Sequence, residues 1–495
     1  MHTRNRRYII VADERVIYMS DAKKVFHYFE EISRIPRESG DEKAIADYLV
    51  AFAKERGLEF HRDGHNNVII KKPATQPDCA CAPVMIQGHT DMVYVREDGC
   101  KRAYEDGIGL IYKDGWISAD GTTLGADDGL AVAFALALLD DDSLTHPPIE
   151  AVLTSAEEVG LVGASFLDYS LLKGKYLINI DTEEEGTFFT SCAGAFRNEL
   201  RIPIDREHTE GLCTLTVKLS GLTGGHSGIE IGEGRGNALS LLARILAALG
   251  GDAHIASLIA TGKTNAISNN AQAELYFEEA KLISAEKLIR ELESDFKREL
   301  GARDSLTLEL SRSGKRSAYC YTEESRKKVT AALSLLPCGV IAMSFDMPEL
   351  VETSANPAFL EQDENELRIF SSSRSSVGSR KLEMKAKYAA IAELCGGESI
   401  SGADYPQWEF RAESPLRELA MSAYRELFGK EAKTCAIHAG LECGYFDEKL
   451  EEVDIISYGP VMMDVHTPRE RTNIASIERT WMLTENILEK LANQK

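Results

Sequence analysis

Positive charge is scarce in this chain of 495 residues. Lysine and arginine number 56 against 79 aspartates and glutamates, which leaves a formal net charge of −23. A protein that neutralises phosphate groups carries the opposite balance, so we do not expect nucleic acid as a partner. The 44% apolar and 27% charged residues are typical of an ordinary folded protein of two or three domains.

Long apolar runs are also missing. The longest, residues 130–139 (LAVAFALALL), is about half of the roughly 20 residues that a membrane-spanning helix needs. The basic start followed by residues 8–12 (YIIVA) is similar to a signal peptide, but Asp13 and Glu14 end the apolar stretch too early. We therefore expect a soluble protein with no membrane partner.

Closely spaced cysteines are few. Of the ten cysteines only Cys79 and Cys81 are near each other, which suits neither a zinc finger nor a disulfide-rich secreted scaffold. Reduced thiols and a cytoplasmic location are the expectation.

The first part of the chain alternates helices with short apolar strands. Residues 84–86, 149–153 and 176–180 predict buried strands, and residues 130–139 predict a helix that is apolar on nearly every side. Such strands and helices imply a central sheet covered on both faces. The predicted fold class is α/β, with a mixed central sheet and helices on both faces.

The pattern changes in the middle of the chain. Leu215, Val217 and Leu219 alternate with polar residues, as in a sheet with one wet face, and amphipathic helices intervene. We expect an inserted α+β lid domain at 199–400. It divides a catalytic domain into 20–198 and 401–495, and residues 1–19 form an N-terminal appendage.

Acidic and histidine residues follow several of the predicted strands or lie in glycine-rich turns. They are His89 and Asp91 (GHTDMV), Asp127 (GTTLGADDG), Glu157 and Glu158 (TSAEEVG), Asp181 (INIDTEEEG) and His466 (DVHTP). An open α/β sheet builds its sites beyond the carboxyl ends of its strands. Two imidazoles with several carboxylates are a donor set for zinc, manganese or cobalt, and an aspartate can bridge two such ions.

Each of these residues alone has a structural explanation. A lone histidine is more often part of the packing than a ligand, and an aspartate in a glycine-rich turn is usually a turn or cap residue. The joint pattern is what favours a metal site.

The ordered motifs resemble the metallopeptidases of the co-catalytic zinc aminopeptidase and carboxypeptidase group. Further segments narrow the resemblance to the Xaa-His dipeptidases, and they are GLTGGHSG, GRGNA, SSSRSS, AIHAGLECGYF and SYGPVMMDVHTP. The resemblance covers the chain from about residue 20 onward. It implies hydrolysis of a small peptide, most typically a Xaa-His dipeptide, with two divalent ions, zinc in the first place and manganese or cobalt as alternatives. It leaves open whether the chain forms a homodimer.

The resemblance also implies roles for individual residues. His89 and Asp181 would ligate one metal, Asp127 would bridge, Glu158 and His466 would ligate the other metal, Glu157 would be the general base, and Asp91 would tune the metal bound by His89. His226, Asn265 and Arg374 would contact substrate, and His438 would either line the substrate pocket or serve in packing. One departure is ADDG where ADNG is common, so that Asp128 replaces an amide and adds charge near the metals.

The sequence is compatible with two other functions. The same metal core serves any amide, so a related di-metal amidohydrolase, such as an aminoacylase or a broader di- or tripeptidase, is one alternative. A catalytically inactive, metal-stabilised binding protein is the other, although such a protein would be expected to have lost a base or a ligand.

Overall fold

A computed structural model describes residues 22–76 and 79–494, apart from the side chains of 315–317. The predicted appendage at 1–19 lies outside these residues. In the part that is described, no helix combines the length and apolar character needed to span a membrane.

The α-helices of the described chain are α1 (Lys23–Ile32), α2 (Lys43–Glu55), α3 (Ala126–Asp140), α4 (Val162–Phe166), α5 (Ala238–Leu249), α6 (Leu282–Leu300), α7 (Glu323–Leu335), α8 (Gly378–Cys395), α9 (Pro415–Phe428), α10 (Cys443–Lys449) and α11 (Ile474–Ala492).

The strands are β1 (Glu59–Arg62), β2 (Val68–Lys72), β3 (Val84–His89), β4 (Leu110–Lys113), β5 (Trp116–Ala119), β6 (Ile149–Thr154), β7 (Tyr176–Asn179), β8 (Thr187–Cys192), β9 (Gly194–Pro203), β10 (Arg206–Ser220), β11 (His254–Ile259), β12 (Ala271–Phe277), β13 (Thr307–Tyr321), β14 (Gly339–Met343), β15 (Val351–Gln362), β16 (Glu366–Ser375), β17 (Glu398–Tyr405), β18 (Lys433–Ile437), β19 (Asp454–Ser457), β20 (Met462–Met463) and β21 (Arg471–Asn473).

The chain divides into two compact units. Unit 1 comprises the residues up to Ser191 together with Phe410–Ala436 and Leu441–Lys495, and unit 2 comprises Cys192–Glu409 and Ile437–Gly440.

Unit 1 is built on a mixed sheet in the order β1-β2-β6-β3-β7-β19-β8-β18. Strands β6, β3, β7 and β19 run parallel, whereas β1, β2 and β8 pair antiparallel with their neighbours. Every residue of β3 and of β6 is buried, so both faces of the central sheet are covered. The predicted α/β class is confirmed, and the carboxyl ends of four parallel strands meet at one edge.

The core of unit 1 explains its apolar helix. Residues Leu130 to Leu139 of α3 are all buried, because α3 packs against α1 as well as the sheet. Phe134 meets Trp481 of α11 edge to face with ring centroids 5.6 Å apart. The first turn of α3 lies at the edge of the sheet where the parallel strands end.

Unit 2 contains two antiparallel sheets, in the orders β11-β12-β10-β13 and β14-β15-β16-β9-β17. Leu215, Val217 and Leu219 of β10 are fully buried beneath α5 and α6, while the residues between them are more exposed on average. This alternation is the one that the sequence predicts for a sheet with one covered face.

Candidate metal centre

The predicted site residues of unit 1 meet at the carboxyl edge of its sheet. His89 is the last residue of β3, Glu157 and Glu158 follow β6, and Asp181 follows β7. Asp127 lies in the first turn of α3. Residues from separate strand ends therefore form one cluster, as expected for an open α/β sheet.

Asp127 is shared by two histidines. Its Oδ1 atom lies 3.1 Å from His89 Nε2, and its Oδ2 atom lies 3.1 Å from His466 Nε2. Three groups of three ligand atoms lie within 4.8 Å of one another in this cluster: His89 with Asp127 and Asp181, His89 with Glu157 and Glu158, and Asp127 with Glu158 and His466. A carboxylate common to two ligand groups is the arrangement of a bridged two-metal site.

The two neighbouring glutamates lie at different distances from the histidines. Glu158 Oε1 lies 2.7 Å from His466 Nε2, whereas Glu157 Oε2 stays 4.0 Å from His89 Nε2. Neighbouring residues leaving a strand point in different directions. Glu158 thus sits within the His466 group, and Glu157 borders the cluster on the His89 side.

Asp91 connects His89 to the two glutamates. Its Oδ1 atom lies 3.4 Å from His89 Nδ1. The backbone N–H groups of Glu157 and Glu158 donate to its two carboxylate oxygens at 3.0 and 3.3 Å, and the Ser39 hydroxyl donates to Oδ2 at 2.7 Å. A carboxylate on the far nitrogen of an imidazole selects its tautomer and orientation.

Asp128, the departure from ADNG, lies beneath β3. Its side chain is fully buried, and Oδ2 accepts the backbone N–H of His89 at 3.0 Å. A Cβ at Gly88 would come within 2.5 Å of that oxygen and 2.2 Å of Ala131 Cβ, so only glycine admits this approach. Asp128 therefore orients the strand end that carries His89.

Sequence reasoning did not identify Glu470 and Arg37. The buried carboxylate of Glu470 accepts backbone N–H groups of Leu124, Gly125 and Ala126 at 2.8 to 3.0 Å, and that of Asp127 at 3.4 Å. Arg37, also buried, donates to the Gly125 carbonyl and to the carbonyls of Thr90 and Asp91. Glu470 holds the backbone at 124–127, and Arg37 holds the carbonyls of Thr90, Asp91 and Gly125. Neither residue belongs to a local sequence motif that would have predicted this role.

A polar row crosses the parallel strands below the cluster. Gln87 donates to Glu442 at 2.5 Å and accepts from Asn179 at 2.5 Å, and Thr154 donates to Glu442 at 2.6 Å. Ser457 donates to Asn179 at the other end. The row is fully buried, and burial raises the pKa of Glu442 to about 7.

The cluster holds more negative charge than its surroundings can balance. Burial raises the pKa of Asp181 and of Glu157 well above the usual range, and neighbouring carboxylates raise both further. Burial alone would lower the pKa of His89, but the carboxylates of Asp127 and Asp91 raise it well above its usual value. Hydrogen bonds to Asp127 and Glu158 raise the pKa of His466 to about 11.

The donor set fits divalent cations. Among the described side chains, no lysine or arginine forms an ion pair with Asp127, Glu157, Glu158 or Asp181. Buried carboxylates need a cation or a proton, and nitrogen and oxygen ligands at this spacing suit zinc, manganese or cobalt.

The four substrate-contact candidates lie in unit 2. A Cβ at Gly228 would lie 2.7 Å from the His438 carbonyl, 3.0 Å from His226 Cε1 and 3.1 Å from Arg374 Nε, so these three residues surround Gly228. The Asn265 carbonyl accepts the Ser227 backbone N–H at 2.9 Å, which places Asn265 beside His226.

His226 has one ring nitrogen engaged. Its Nδ1 atom accepts the backbone N–H groups of Gly228 and Ile229 at 3.3 and 3.1 Å. Burial and the charge of Arg374 lower the pKa of His226. The neutral tautomer therefore carries its proton on Nε2, where it can be donated.

Arg374 is a buried cation without an anion. Its side chain is 8% exposed, Nη1 donates to Tyr405 Oη at 3.0 Å, and Nε has no hydrogen-bond partner. No described carboxylate pairs with it. His438 Nε2 lies 2.7 Å from Ser354 Oγ, and burial together with Arg374 lowers the pKa of His438 to about 3.

The family follows from comparison with known proteins. Residues 85–490 match the peptidase family M20/M25/M40. The chain belongs to this family of metal-dependent peptide hydrolases, and the predicted resemblance to metallopeptidases is confirmed.

Individual relatives cover nearly the whole chain. The chain is 35% identical over 467 residues to the cytosol non-specific dipeptidase of Escherichia coli (strain K12), spanning 94% of this chain and 96% of the relative. It is 32% identical to the aminoacylhistidine dipeptidase of Vibrio alginolyticus, with a TM-score of 0.89 over 95% of this chain and 97% of that one. Aminopeptidase PepT of Bacillus cereus ATCC 10987, at 18% identity and a TM-score of 0.55 over 96% of this chain and all of that one, shares the fold.

Proposed function

We propose that this peptidase is a dipeptidase and that Xaa-His dipeptides are among its substrates. One observation supports a two-metal hydrolase above all: the two carboxylate oxygens of Asp127 each lie 3.1 Å from the imidazole of a different histidine. Two of the relatives support the substrate class, since both are named dipeptidases, one of them for aminoacylhistidine substrates.

Two of the ligand groups support the metal assignment. His89, Asp127 and Asp181 would hold one ion, and Asp127, Glu158 and His466 would hold the other. We propose zinc for both, with manganese and cobalt able to replace it. When bound, the ions lower the pKa of water and polarise the scissile carbonyl.

Glu157 is the proposed general base. Its carboxylate borders the cluster and lies 4.0 Å from the nearest imidazole nitrogen, that of His89, so it is free to exchange a proton. It accepts the proton of the attacking water and passes it to the leaving amine. Asp91 holds the backbone of Glu157 in place for this transfer.

Arg374 is the proposed clamp for the carboxylate of the dipeptide. Burying a guanidinium without a partner anion costs free energy of folding. A substrate carboxylate would neutralise its charge and accept charge-assisted hydrogen bonds from it. His226, with its donor on Nε2, is suited to an oxyanion, and Asn265 lies beside it. His438, whose carbonyl lies near Gly228 as His226 and Arg374 do, belongs to the same proposed surface.

A substrate panel tests the proposal. Protein reconstituted with zinc should release histidine from Xaa-His dipeptides faster than acetate from N-acetylhistidine, and should leave tripeptides nearly untouched. Faster deacetylation would identify an aminoacylase, tripeptide cleavage would identify a broader peptidase, and no turnover of any substrate would identify an inactive relative.

The cellular compartment is part of the same proposal. All ten cysteines lie in the described residues and are free thiols, which suits a reducing environment. Because the E. coli relative is named a cytosol dipeptidase, we propose a cytoplasmic location. Fractionation of cells that express the tagged protein would show it.

A further inference from the structure

Unit 2 contains a second group of metal-type ligands, remote in sequence from the acidic cluster. Glu207, His254 and Cys320 each offer one ligand atom, and these atoms lie within 4.8 Å of one another. Glu207 of β10 and Cys320 of β13 are directly opposed in the antiparallel ladder, so their side chains share a face of the sheet. His254 is the first residue of β11.

The curvature of the sheet brings these strands together. In the order β11-β12-β10-β13, strands β11 and β13 are at opposite ends. Nevertheless, Arg206 of β10 donates from Nη1 to the Ala256 carbonyl of β11 at 3.0 Å. Ala256, Tyr276 and Cys320, from three different strands, pack in one small apolar cluster. The two ends of the sheet thus approach each other at the three ligands.

The three side chains differ in solvent exposure. The Cys320 thiol is fully buried, His254 is half-buried and Glu207 is exposed. Burial keeps the pKa of the Cys320 thiol above its usual value, so the free thiol retains its proton. A divalent ion that binds the sulfur would displace that proton to solvent.

A ligand set of sulfur, imidazole nitrogen and carboxylate oxygen favours some divalent metals over others. Thiolate and imidazole favour zinc or cobalt over magnesium and calcium, which prefer oxygen alone. Three protein ligands leave the fourth tetrahedral position to water. Ligand atoms around a zinc ion lie roughly 3.5 Å apart, and the three ligand atoms here lie within 4.8 Å of one another.

We propose that Glu207, His254 and Cys320 bind one zinc ion, which fastens strands β11 and β13 to each other through β10. The site is independent of the two-metal centre proposed for unit 1.

Cobalt provides a selective probe, because the ligand groups of the unit 1 cluster contain nitrogen and oxygen only. Full-length protein saturated with Co²⁺ should show a near-ultraviolet thiolate-to-cobalt charge-transfer absorption. Cys320→Ser should abolish it. Cys213→Ser, which alters another buried cysteine of the same sheet, should retain it. Absence of the absorption from the wild type, or its persistence in Cys320→Ser, would overturn the proposal.

A second variant guards against misfolding of the cysteine mutant. His254→Ala leaves the buried thiol in place, and it should weaken cobalt binding to the thiolate site at least tenfold. Equilibrium dialysis against zinc should find one ion per chain fewer in Cys320→Ser than in wild type. Equal zinc content in the two proteins, or unchanged cobalt affinity in His254→Ala, would contradict the assignment.

Discussion

The carboxylate of Glu470 holds the loop that ends at Asp127. It accepts the backbone N–H groups of the three residues before Asp127 at 2.8 to 3.0 Å and that of Asp127 itself at 3.4 Å. The position of the proposed bridging ligand thus depends on a buried side chain that binds the backbone of Asp127 and of the three residues before it.

Glu470→Gln should lower kcat/KM by tenfold or more and reduce bound metal. The amide nitrogen would face N–H donors, and each buried group left unpaired costs about 1–3 kcal/mol. Glu150→Gln is the matched control, because Glu150 is a buried carboxylate that accepts the backbone N–H groups of Lys173 and Gly174 near the amino end of β6. It should lose stability but keep its turnover per folded molecule. Equal kinetic losses in both variants would show that Glu470 acts only on folding.

Glu157→Gln should keep its metal and lose activity. An amide of the same shape cannot accept a proton, and a general base typically contributes about 10²–10⁴ in rate. Elemental analysis and kcat on a Xaa-His dipeptide measure the two effects. In the comparison variant Glu158→Gln metal loss should dominate, and the opposite pattern would mean that the base and the ligand are exchanged.

Asp127→Ala should bind less metal than either His89→Ala or His466→Ala. The Asp127 carboxylate lies 3.1 Å from each of the two imidazoles, whereas each imidazole would ligate one ion. Metal content per chain after dialysis ranks the three variants, with His27→Ala on the exposed face of α1 as a control. Two ions retained per chain in Asp127→Ala, measured in a Cys320→Ser background that removes the proposed site of unit 2, would disprove the bridge.

Arg374→Ala should raise KM for free dipeptides far more than for the same dipeptides with an amidated carboxyl end. The pair between the buried guanidinium and the substrate carboxylate is absent from the amide. Acid and amide substrates with both enzymes form a double-difference cycle. Arg368→Ala, on the same strand but partly exposed and paired with Glu361, should show no such difference. If both substrates suffered equally from Arg374→Ala, the clamp assignment would fail.

His438 should make the fold acid-sensitive. Its pKa is about 3 in the folded chain, where burial and then the charges of Arg374 and His226 disfavour the cation, against about 6.5 when unfolded. The unfolded chain therefore binds the extra proton first, and stability is lost as pH falls below about 6.5, by about 2 kcal/mol at pH 5. His438→Gln cannot take up that proton. Its thermal midpoint relative to wild type should rise between pH 7.5 and pH 5, and a constant difference would contradict this.

The sequence alone predicted the proposed ligands, because each belongs to a short local motif. His89 and Asp91 are two residues apart, Glu157 and Glu158 are adjacent, and each segment follows an apolar strand. The order of parallel strands then brings their carboxyl ends together. The α/β class of unit 1 and the one-sided sheets of unit 2 were predictable for the same reason, since burial imposes a local period on the residues.

Only the tertiary structure revealed the side chains that hold those motifs in place. Glu470 meets Leu124 across 346 positions of sequence, and Arg37 reaches Gly125 across 88. Glu207, His254 and Cys320 come from three strands that meet through the curvature of one sheet. Such contacts leave no local pattern, because a buried carboxylate or guanidinium is placed by the packing of distant elements and not by its neighbours in the chain.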